Sequence, residues 1–304
     1  MVDIILIFAP KRSGHHAFVN SLLAGNTLPT VFINNAPNNP NWYPRQYISS
    51  KSSLRLQCNK AFSGTANIKT IPLESNKDIY EFEEVPSKLQ LKDLLKMSDT
   101  AKLVFNFEDR LPRQESFLPL KESIERAFKG SQFNYVHFMR DPLNLIASRL
   151  ARSIFSRLDD KTNKMINTPI FASDPAKAEL SLHSTRCTLI EQLSFALNSK
   201  NEIKNLFAID YASWLFDRKY RDSHEFNKIL NICSLQTSTT SHGGGSSFIK
   251  GGHEEKSTAN AYLHRYKLME NLTAYQLITA QLHDLINRYY SSMVTEPTRA
   301  FIME

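Results

Sequence analysis

The sequence lacks any long apolar run, since no segment approaches the ~18 consecutive apolar residues that a helix needs to cross a bilayer. We also expect no secretion signal, because the short apolar run near the N-terminus is interrupted by Asp3 and its basic residues stand on the wrong side. The three cysteines, Cys58, Cys187 and Cys233, are widely separated and have no metal-ligand spacing. We therefore predict a cytoplasmic protein without a membrane span, disulfides or zinc.

The sequence also lacks the usual signatures of a nucleic-acid-binding protein. It contains no zinc-finger spacing, no RNA-binding aromatic signature and no block of consecutive basic residues. The formal net charge of +7 nevertheless suits an anionic partner. Charge alone also fits an acidic membrane surface or nucleic acid, but the missing signatures favour a small anionic ligand, and we expect no nucleic-acid partner.

No obvious linker divides the 304 residues, a length that one large domain can have. A cluster of Pro and Asn at 34–44 and a cluster of Gly and Ser at 237–252 are typical of long functional loops within a domain. We therefore predict a single domain over 1–304.

Short apolar runs alternate with segments of helical pattern, which indicates a parallel sheet buried on both faces by crossover helices. The runs lie at residues 4–8, 31–33, 103–107, 133–139 and 206–209. Apolar spacing predicts two helices, at 182–197 and 273–289, the second opening with a capping box of Thr273 and Gln276. The fold class that we predict is α/β: a three-layer fold with a central parallel sheet.

The loop after the first apolar run has the composition of an anion-binding site. Its residues are Lys11, Arg12, Ser13, Gly14, His15 and His16, and a helical pattern follows. A strand that leads through a tight basic loop into a helix directs free backbone N–H groups and the positive end of the helix dipole at a phosphate. The loop is therefore P-loop-like. However, the loop that binds nucleoside triphosphates has Lys and Ser or Thr after its last glycine, and two histidines follow Gly14 here, so no hydroxyl is placed to hold magnesium.

A second strand-to-helix junction follows the run at 133–139. Asp141 is placed as an N-cap and Pro142 as the first helical residue, so Arg140 lies at the edge of the sheet. Ser148 lies about two turns into that helix, so its hydroxyl and the Arg140 guanidinium can hold one phosphate from two sides. Two anion sites at the carboxyl edge of one sheet predict a ligand with two separated phosphates.

These motifs resemble those of sulfotransferases that use 3′-phosphoadenosine 5′-phosphosulfate (PAPS). The loop at 10–16 resembles their 5′-phosphosulfate loop, usually Pro, Lys or Arg, Ser, Gly, Thr, Thr. Arg140 and Ser148 stand eight residues apart, as do the Arg and Ser of the family's 3′-phosphate motif. The glycine-rich segment 243–252 is similar to the late loop that closes over the nucleotide, and residues 264–267 are similar to the aromatic and basic helix after it in many bacterial members.

The resemblance implies a role for each motif residue, with PAPS as co-substrate and no metal required. Arg12 would contact the bridging and sulfuryl oxygens and, with His16, belong to the catalytic residues. The remaining implied nucleotide contacts are Lys11, Ser13, Gly14, His15 and His16 on the 5′ side, Arg140 and Ser148 on the 3′-phosphate, and Ser246 and Ser247 in the glycine-rich loop. His15 and His16 replace the usual threonine pair. Imidazole also donates hydrogen bonds to phosphate, and it brings a new pH dependence.

The acceptor hydroxyl needs a general base, and Glu108, at the end of the run 103–107, is our candidate. The alternative is that Glu108 and Asp109 are solvated loop charges or a helix cap. His137 is a weaker candidate, because it lies within a strand, where a packed and hydrogen-bonded histidine is expected. Trp42 and Tyr43 offer a stacking surface for an acceptor, and the loops at 34–47 and 159–176 are expected to shape its pocket.

The sequence therefore predicts a sulfotransferase that moves a sulfuryl group from PAPS to a hydroxyl of a carbohydrate or another small acceptor. Two alternatives stay open: a P-loop kinase or nucleoside-triphosphatase, and a catalytically silent nucleotide-binding relative. Dependence on magnesium separates the kinase class from the sulfotransferase, and turnover separates the silent relative.

Overall fold

A computed structural model of the chain describes its residues in separate ranges. These are 3–11, 13–15, 18, 30–34, 53–57, 68–72, 78–82, 102–112, 118, 121–122, 125, 130–151, 153–159, 161–162, 164–199, 203–223, 225 and 263–304. Several residues to which the sequence assigns a role lie outside them: Arg12, His16, the loop residues 35–47 with Trp42 and Tyr43, and the glycine-rich segment 243–252 with Ser246 and Ser247.

An eight-stranded sheet in the order β10-β7-β1-β6-β2-β3-β5-β4 forms the centre of the described fold. Its strands are β1 (Asp3–Ala9), β2 (Thr30–Asn34), β3 (Ser53–Gln57), β4 (Ile68–Pro72), β5 (Asp78–Phe82), β6 (Lys102–Glu108), β7 (Gln132–Met139) and β10 (Leu206–Asp210). Pairing is parallel from β10 through β7, β1 and β6 to β2, and antiparallel from there through β3 and β5 to β4. A separate antiparallel pair consists of β8 (Ser156–Leu158) and β9 (Met165–Asn167).

Helices flank the parallel part of the sheet. They are α1 (Pro142–Leu150), α2 (Ile170–Ser173), α3 (Pro175–Asn198), α4 (Tyr211–Phe216), α5 (Arg218–Ser223), α6 (Thr273–Gln281), α7 (His283–Met293) and α8 (Glu296–Met303), with a 3₁₀ turn at Arg265–Leu268. The fold is thus mixed α/β with a central parallel sheet flanked by helices, as the sequence predicts, and all the predicted apolar runs are parallel strands.

The apolar run of β1 lies in a strand that is buried on both faces. Every residue from Ile4 to Ala9 in β1 lacks exposed surface. Alternate side chains of a strand point to opposite faces. On one face Ile5 and Ile7 pack in a cluster with Phe18 and with Trp214 of α4. On the face of β7 that His137 occupies, α3 packs through Gln192 and Phe195. A second cluster joins the buried faces of α1, α3, α6 and α7.

Two predictions for the middle of the chain are wrong in part. The helix expected at 182–197 begins earlier, at Pro175, because the Asp174 side chain caps it by accepting a hydrogen bond from Lys177 N at 3.1 Å. The segment 159–176, expected to be a loop, contains β9 and the short helix α2.

Predictions near the C-terminus also need correction. The single helix expected at 273–289 is two helices, α6 and α7, which meet at Leu282. The capping box is absent, because Leu272 occupies the N-cap and Gln276 instead donates a hydrogen bond to the Glu270 carbonyl at 3.0 Å. The helix expected at 264–267 is a single 3₁₀ turn. In the described ranges, no helix combines the length and the apolarity that crossing a membrane requires.

Candidate functional site

The described polar residues of the predicted site gather at the carboxyl ends of neighbouring strands. In the parallel register Ala9 pairs with Glu108, Phe8 with His137, and Asp210 with Met139. The ends of β6, β1, β7 and β10 therefore lie side by side at one edge. β6 lies on one side of β1 and β7, the next strand of this sheet in the chain, lies on the other. In α/β sheets such a change of direction opens a crevice at the carboxyl ends of the strands, where ligands bind.

The loop after β1 turns tightly at its glycine. Ser13 N donates a hydrogen bond to the Pro10 carbonyl at 3.1 Å. Gly14 has a φ of 90°, in the left-handed region that favours glycine. A Cβ on Gly14 would also lie 2.7 Å from a ring carbon of Tyr211, so a side chain is excluded by space as well as by conformation.

Three polar side chains connect this loop to the end of β6. Ser13 Oγ lies 3.1 Å from His15 Nδ1, and both residues are buried. His15 Nε2 lies 3.4 Å from Glu108 Oε1, which is longer than an ordinary hydrogen bond. Glu108 is the last residue of β6, as the sequence predicts, and its side chain is 18% exposed. We define Ser13, His15 and Glu108 as the loop triad.

Asp109 holds the ends of β1 and β6 together. It has a φ of 57°, its N–H donates to the Ala9 carbonyl at 2.9 Å, and its carboxylate accepts a hydrogen bond from Lys11 N at 2.9 Å. The same carboxylate forms an ion pair with Arg149 of α1. Asp109 therefore holds the backbone in place where the loop begins after β1. The Lys11 side chain is exposed.

The predicted pair of Arg140 and Ser148 lies in contact. Arg140 is 4% exposed, and its Nη1 donates a hydrogen bond to Ser148 Oγ at 3.0 Å. The guanidinium carbon lies 5.9 Å from the centroid of the Tyr211 ring, within the range of a cation–π interaction. Tyr211 also lies against Gly14, so one aromatic ring lies next to both predicted anion-binding groups.

Two buried carboxylates lie behind these groups, each at the N-terminus of a helix. Asp141 caps α1 as predicted, accepting from Asn144 N at 3.0 Å, and burial raises its pKa although Arg140 opposes the rise. Asp210 caps α4 by accepting from Ser213 N at 2.7 Å. Burial raises the pKa of Asp210 to about 7, and the Asp141 charge adds to the shift.

Two consecutive tyrosines of α7 hydrogen-bond to these caps. Tyr289 Oη donates to Asp210 at 2.9 Å, and Tyr290 Oη donates to Asp141 at 3.0 Å. Burial, reinforced by the adjacent carboxylates, raises the pKa values of both tyrosines well above 10, so both remain donors at neutral pH. Helix α7 thus braces the helix starts that follow β7 and β10.

His137 is packed inside the sheet, as the sequence predicts for a structural histidine. Its Nε2 lies 2.9 Å from Gln192 Oε1, and its ring packs edge-on against Phe195. Burial lowers its pKa to about 4, although the hydrogen bond to Gln192 opposes the shift. A histidine that stays neutral beneath helix α3 is poorly placed to take a proton from an acceptor.

Sequence reasoning missed four residues of this region: Asp210, Tyr211, Tyr289 and Tyr290. A signal was present for Asp210, because it follows an apolar run and precedes a helix, as Asp141 does. No local pattern identifies the tyrosines of α7, whose carboxylate partners lie 79 and 149 residues away in the chain.

Comparison with family models, with curated proteins and with solved structures finds no match to this chain. Within the described ranges, no three His, Cys, Asp or Glu side chains gather as a metal ion would require. Functional inference therefore depends on the chemistry of the strand ends themselves.

Proposed function

We propose that this chain is a sulfotransferase that moves a sulfuryl group from PAPS to a hydroxyl of a carbohydrate or another small acceptor. In this proposal it is a single cytoplasmic domain with three layers and a P-loop-like loop. The observation that carries it is the adjacency of two anion-binding groups: the loop from Lys11 to His15 follows β1, and the Arg140–Ser148 pair follows its parallel neighbour β7. A nucleotide with phosphates at both its 5′ and 3′ positions matches two such groups.

The Arg140–Ser148 pair suits a phosphate because both partners are already oriented. Arg140 is held by Ser148 and by the Tyr211 ring, and Asp141 lies 4.0 Å away, so the guanidinium is held in place before a ligand arrives. A charge-assisted hydrogen bond from a guanidinium in a buried setting is stronger than one between neutral groups.

The proposed reaction needs positioning and a base. The acceptor oxygen forms a bond to sulfur while the bond from sulfur to the bridging oxygen breaks, and adenosine 3′,5′-bisphosphate leaves. The acceptor proton passes to the Glu108 carboxylate, which is partly exposed at the strand end next to the loop. Arg12 and His16 keep the catalytic roles that the resemblance implies, and Ser246 and Ser247 keep their nucleotide contacts.

Calorimetric titration with adenosine 3′,5′-bisphosphate, compared with ATP plus magnesium, tests the nucleotide class. We expect the wild type to bind the bisphosphate without metal. Arg140→Ala should weaken binding by about 10- to 100-fold, the value of a hydrogen bond to a charged group. Arg218→Ala is the matched control, because it removes the same charge from a side chain that is 85% exposed on α5.

Preference for ATP with magnesium would contradict the proposal in favour of a kinase or nucleoside-triphosphatase. Turnover is tested separately, by release of bisphosphate from PAPS in the presence of a panel of hydroxyl acceptors. Glu108→Gln should lower the turnover rate by about 10²- to 10⁴-fold, the usual contribution of a general base, with Glu108→Asp retaining more activity. Bisphosphate binding without turnover on any acceptor would indicate the silent relative.

A further inference from the structure

Asp109 has a backbone conformation that is unusual for a residue with a side chain. Its φ of 57° lies in the left-handed region, which costs free energy for residues with a Cβ, although Asp and Asn tolerate it better than most. Among the described residues, Asn205 is the other non-glycine residue with a positive φ. Such conformations persist where surrounding contacts hold them, and they concentrate at functional sites. The contacts of Asp109 therefore indicate its role.

The structure describes three contacts of Asp109, and each joins it to a different part of the site. Asp109 follows Glu108, the member of the loop triad at the end of β6, and its N–H donates to the carbonyl of Ala9 in β1 at 2.9 Å. Its Oδ1 accepts a hydrogen bond from Lys11 N at 2.9 Å. The same oxygen accepts from Nη2 of Arg149, which lies in the last turn of α1. One carboxylate therefore connects the loop after β1 to helix α1.

The hydrogen bond from Lys11 N holds the backbone from which the Lys11 side chain extends. That side chain is exposed, so its ammonium group can reach a ligand at the strand ends. The backbone N–H of Lys11, in contrast, already donates to Asp109. Lys11 therefore meets an anion through its side chain, and the origin of that side chain depends on Asp109.

A carboxylate beside an anion-binding loop weakens binding, because like charges repel. Arg149 offsets this effect, since the ion pair with Asp109 has no net charge. The Asp109 and Arg149 side chains are 25% and 14% exposed, so solvent screens their charges less than it would at the open surface. Asp109 can therefore hold the loop without repelling the ligand, as long as Arg149 is present.

We propose that Asp109 is a positioning residue for the loop that binds the 5′ group of the nucleotide, and that Arg149 acts through Asp109 by cancelling its charge. Neither residue contacts the ligand in this arrangement. The inference rests on the proposed function in one respect, which is that the 5′ group binds in the loop after β1. It assigns roles to two charged residues that the sulfotransferase motifs leave without one.

Titration calorimetry with three ligands tests the positioning role: adenosine 3′,5′-bisphosphate, adenosine 5′-monophosphate and adenosine 3′-monophosphate. Asp109→Ala removes the acceptor for Lys11 N. We expect the Kd of the two ligands with a 5′-phosphate to rise by about tenfold, roughly the value of one hydrogen bond, while the Kd of the 3′-monophosphate stays close to that of the wild type. Asp109→Asn keeps an acceptor for Lys11 N and tolerates the left-handed φ, so it should bind at least as tightly as the wild type.

Asn205→Ala is the matched control for the backbone conformation. Asn205 has a φ of 61°, but it precedes β10 and so lies at the amino edge of the sheet, opposite the candidate site. Both alanine variants should lower the free energy of unfolding in urea, and only Asp109→Ala should weaken binding. If Asp109→Ala lowers stability but leaves all three Kd values unchanged, Asp109 merely holds the strand ends together and the inference is wrong.

A double-variant cycle tests the role of Arg149. Arg149→Gln leaves the Asp109 charge without compensation, so the Kd of the bisphosphate should rise by about three- to tenfold, and by less at high salt. Adding Asp109→Asn removes that charge, so the double variant should bind about as tightly as the wild type. If the double variant binds as weakly as Arg149→Gln alone, Arg149 contacts the anion directly and the inference is wrong.

The two polar substitutions also serve if Asp109→Ala does not fold. Binding of the bisphosphate by the wild type, with an unchanged Kd in Arg149→Gln, overturns this inference and leaves the proposed function intact. No binding of any of the three ligands by the wild type overturns both.

Discussion

At the residue scale, Asp210 gives the clearest prediction about stability. Its pKa of about 7 in the folded chain lies above the usual 3.8, so between these values the folded state binds a proton that the unfolded state has released. Stability should therefore fall as the pH rises from about 4 to about 7. His137 acts with the opposite sign, because its pKa of about 4 makes stability fall as the pH drops below 6.5.

Asp210→Asn isolates the contribution of the carboxylate. Asn remains a good N-cap: its carbonyl oxygen can accept from Ser213 N while its amide nitrogen donates to the Tyr289 hydroxyl oxygen, and it cannot become charged. We expect the variant to gain up to a few kcal/mol relative to the wild type between pH 5 and pH 8. Denaturant unfolding at both pH values measures this, with Asp222→Asn at an exposed carboxylate as control. If the free energy of unfolding depends on pH in the same way in the variant and the wild type, this prediction is wrong.

Local residue relations could be predicted from the sequence, and distant ones could not. Asp141, Pro142 and the pairing of Arg140 with Ser148 lie within three turns of chain, where cap chemistry and helical spacing decide the geometry. The contact between Gly14 and Tyr211 joins the loop after β1 to the first residue of α4, almost two hundred residues further along the chain. It depends on how the strands pair and not on any local sequence pattern.

At the scale of elements, the apolar runs identified the parallel strands and missed the antiparallel strands β3, β4 and β5. The sequence of β3 alternates apolar Leu54 and Leu56 with polar neighbours, which is the weaker signal of a half-buried strand. The break between α6 and α7 was missed for a related reason. Leu282 is buried and continues the apolar stripe through the junction, so the periodicity carries no sign that the helix ends there.

Helix α7 provides a prediction at this scale, because its tyrosines brace the starts of α1 and α4. Tyr290→Phe removes the hydroxyl that donates to Asp141 and leaves a buried carboxylate with one hydrogen bond fewer. We expect the free energy of unfolding to fall by about 1–3 kcal/mol in urea titrations at pH 7.

Tyr275→Phe on α6 is the matched control. In the part of the chain that the structure describes, the buried Tyr275 hydroxyl has no hydrogen-bond partner, so its removal should be neutral or stabilising. Equal losses in the two variants would show that α7 does not brace the cap through Tyr290.

At the scale of the whole molecule, the site is assembled by sheet order. The loop after β1, Glu108 at the end of β6 and Arg140 after β7 come from separate parts of the chain, and they meet because β1 lies between β6 and β7. The sequence indicated that each strand end carried polar groups. Their adjacency depends on the order of the strands, which the crossovers determine and which no single segment encodes.

The assembly of the site across the sheet leads to a prediction about cooperativity. If the chain is a single domain, heat should unfold it in one transition, and a ligand bound at the strand ends should shift that whole transition. Adenosine 3′,5′-bisphosphate at about 100 times its Kd adds about 2.7 kcal/mol to the free energy of unfolding. For a chain of 304 residues this raises the Tm by about 4 °C.

Differential scanning calorimetry measures the number of transitions and the shift in Tm, with Arg140→Ala at the same ligand concentration as control. Two transitions, of which the ligand shifts one, would show that the parallel sheet unfolds separately from the rest of the chain and that the single-domain prediction is wrong.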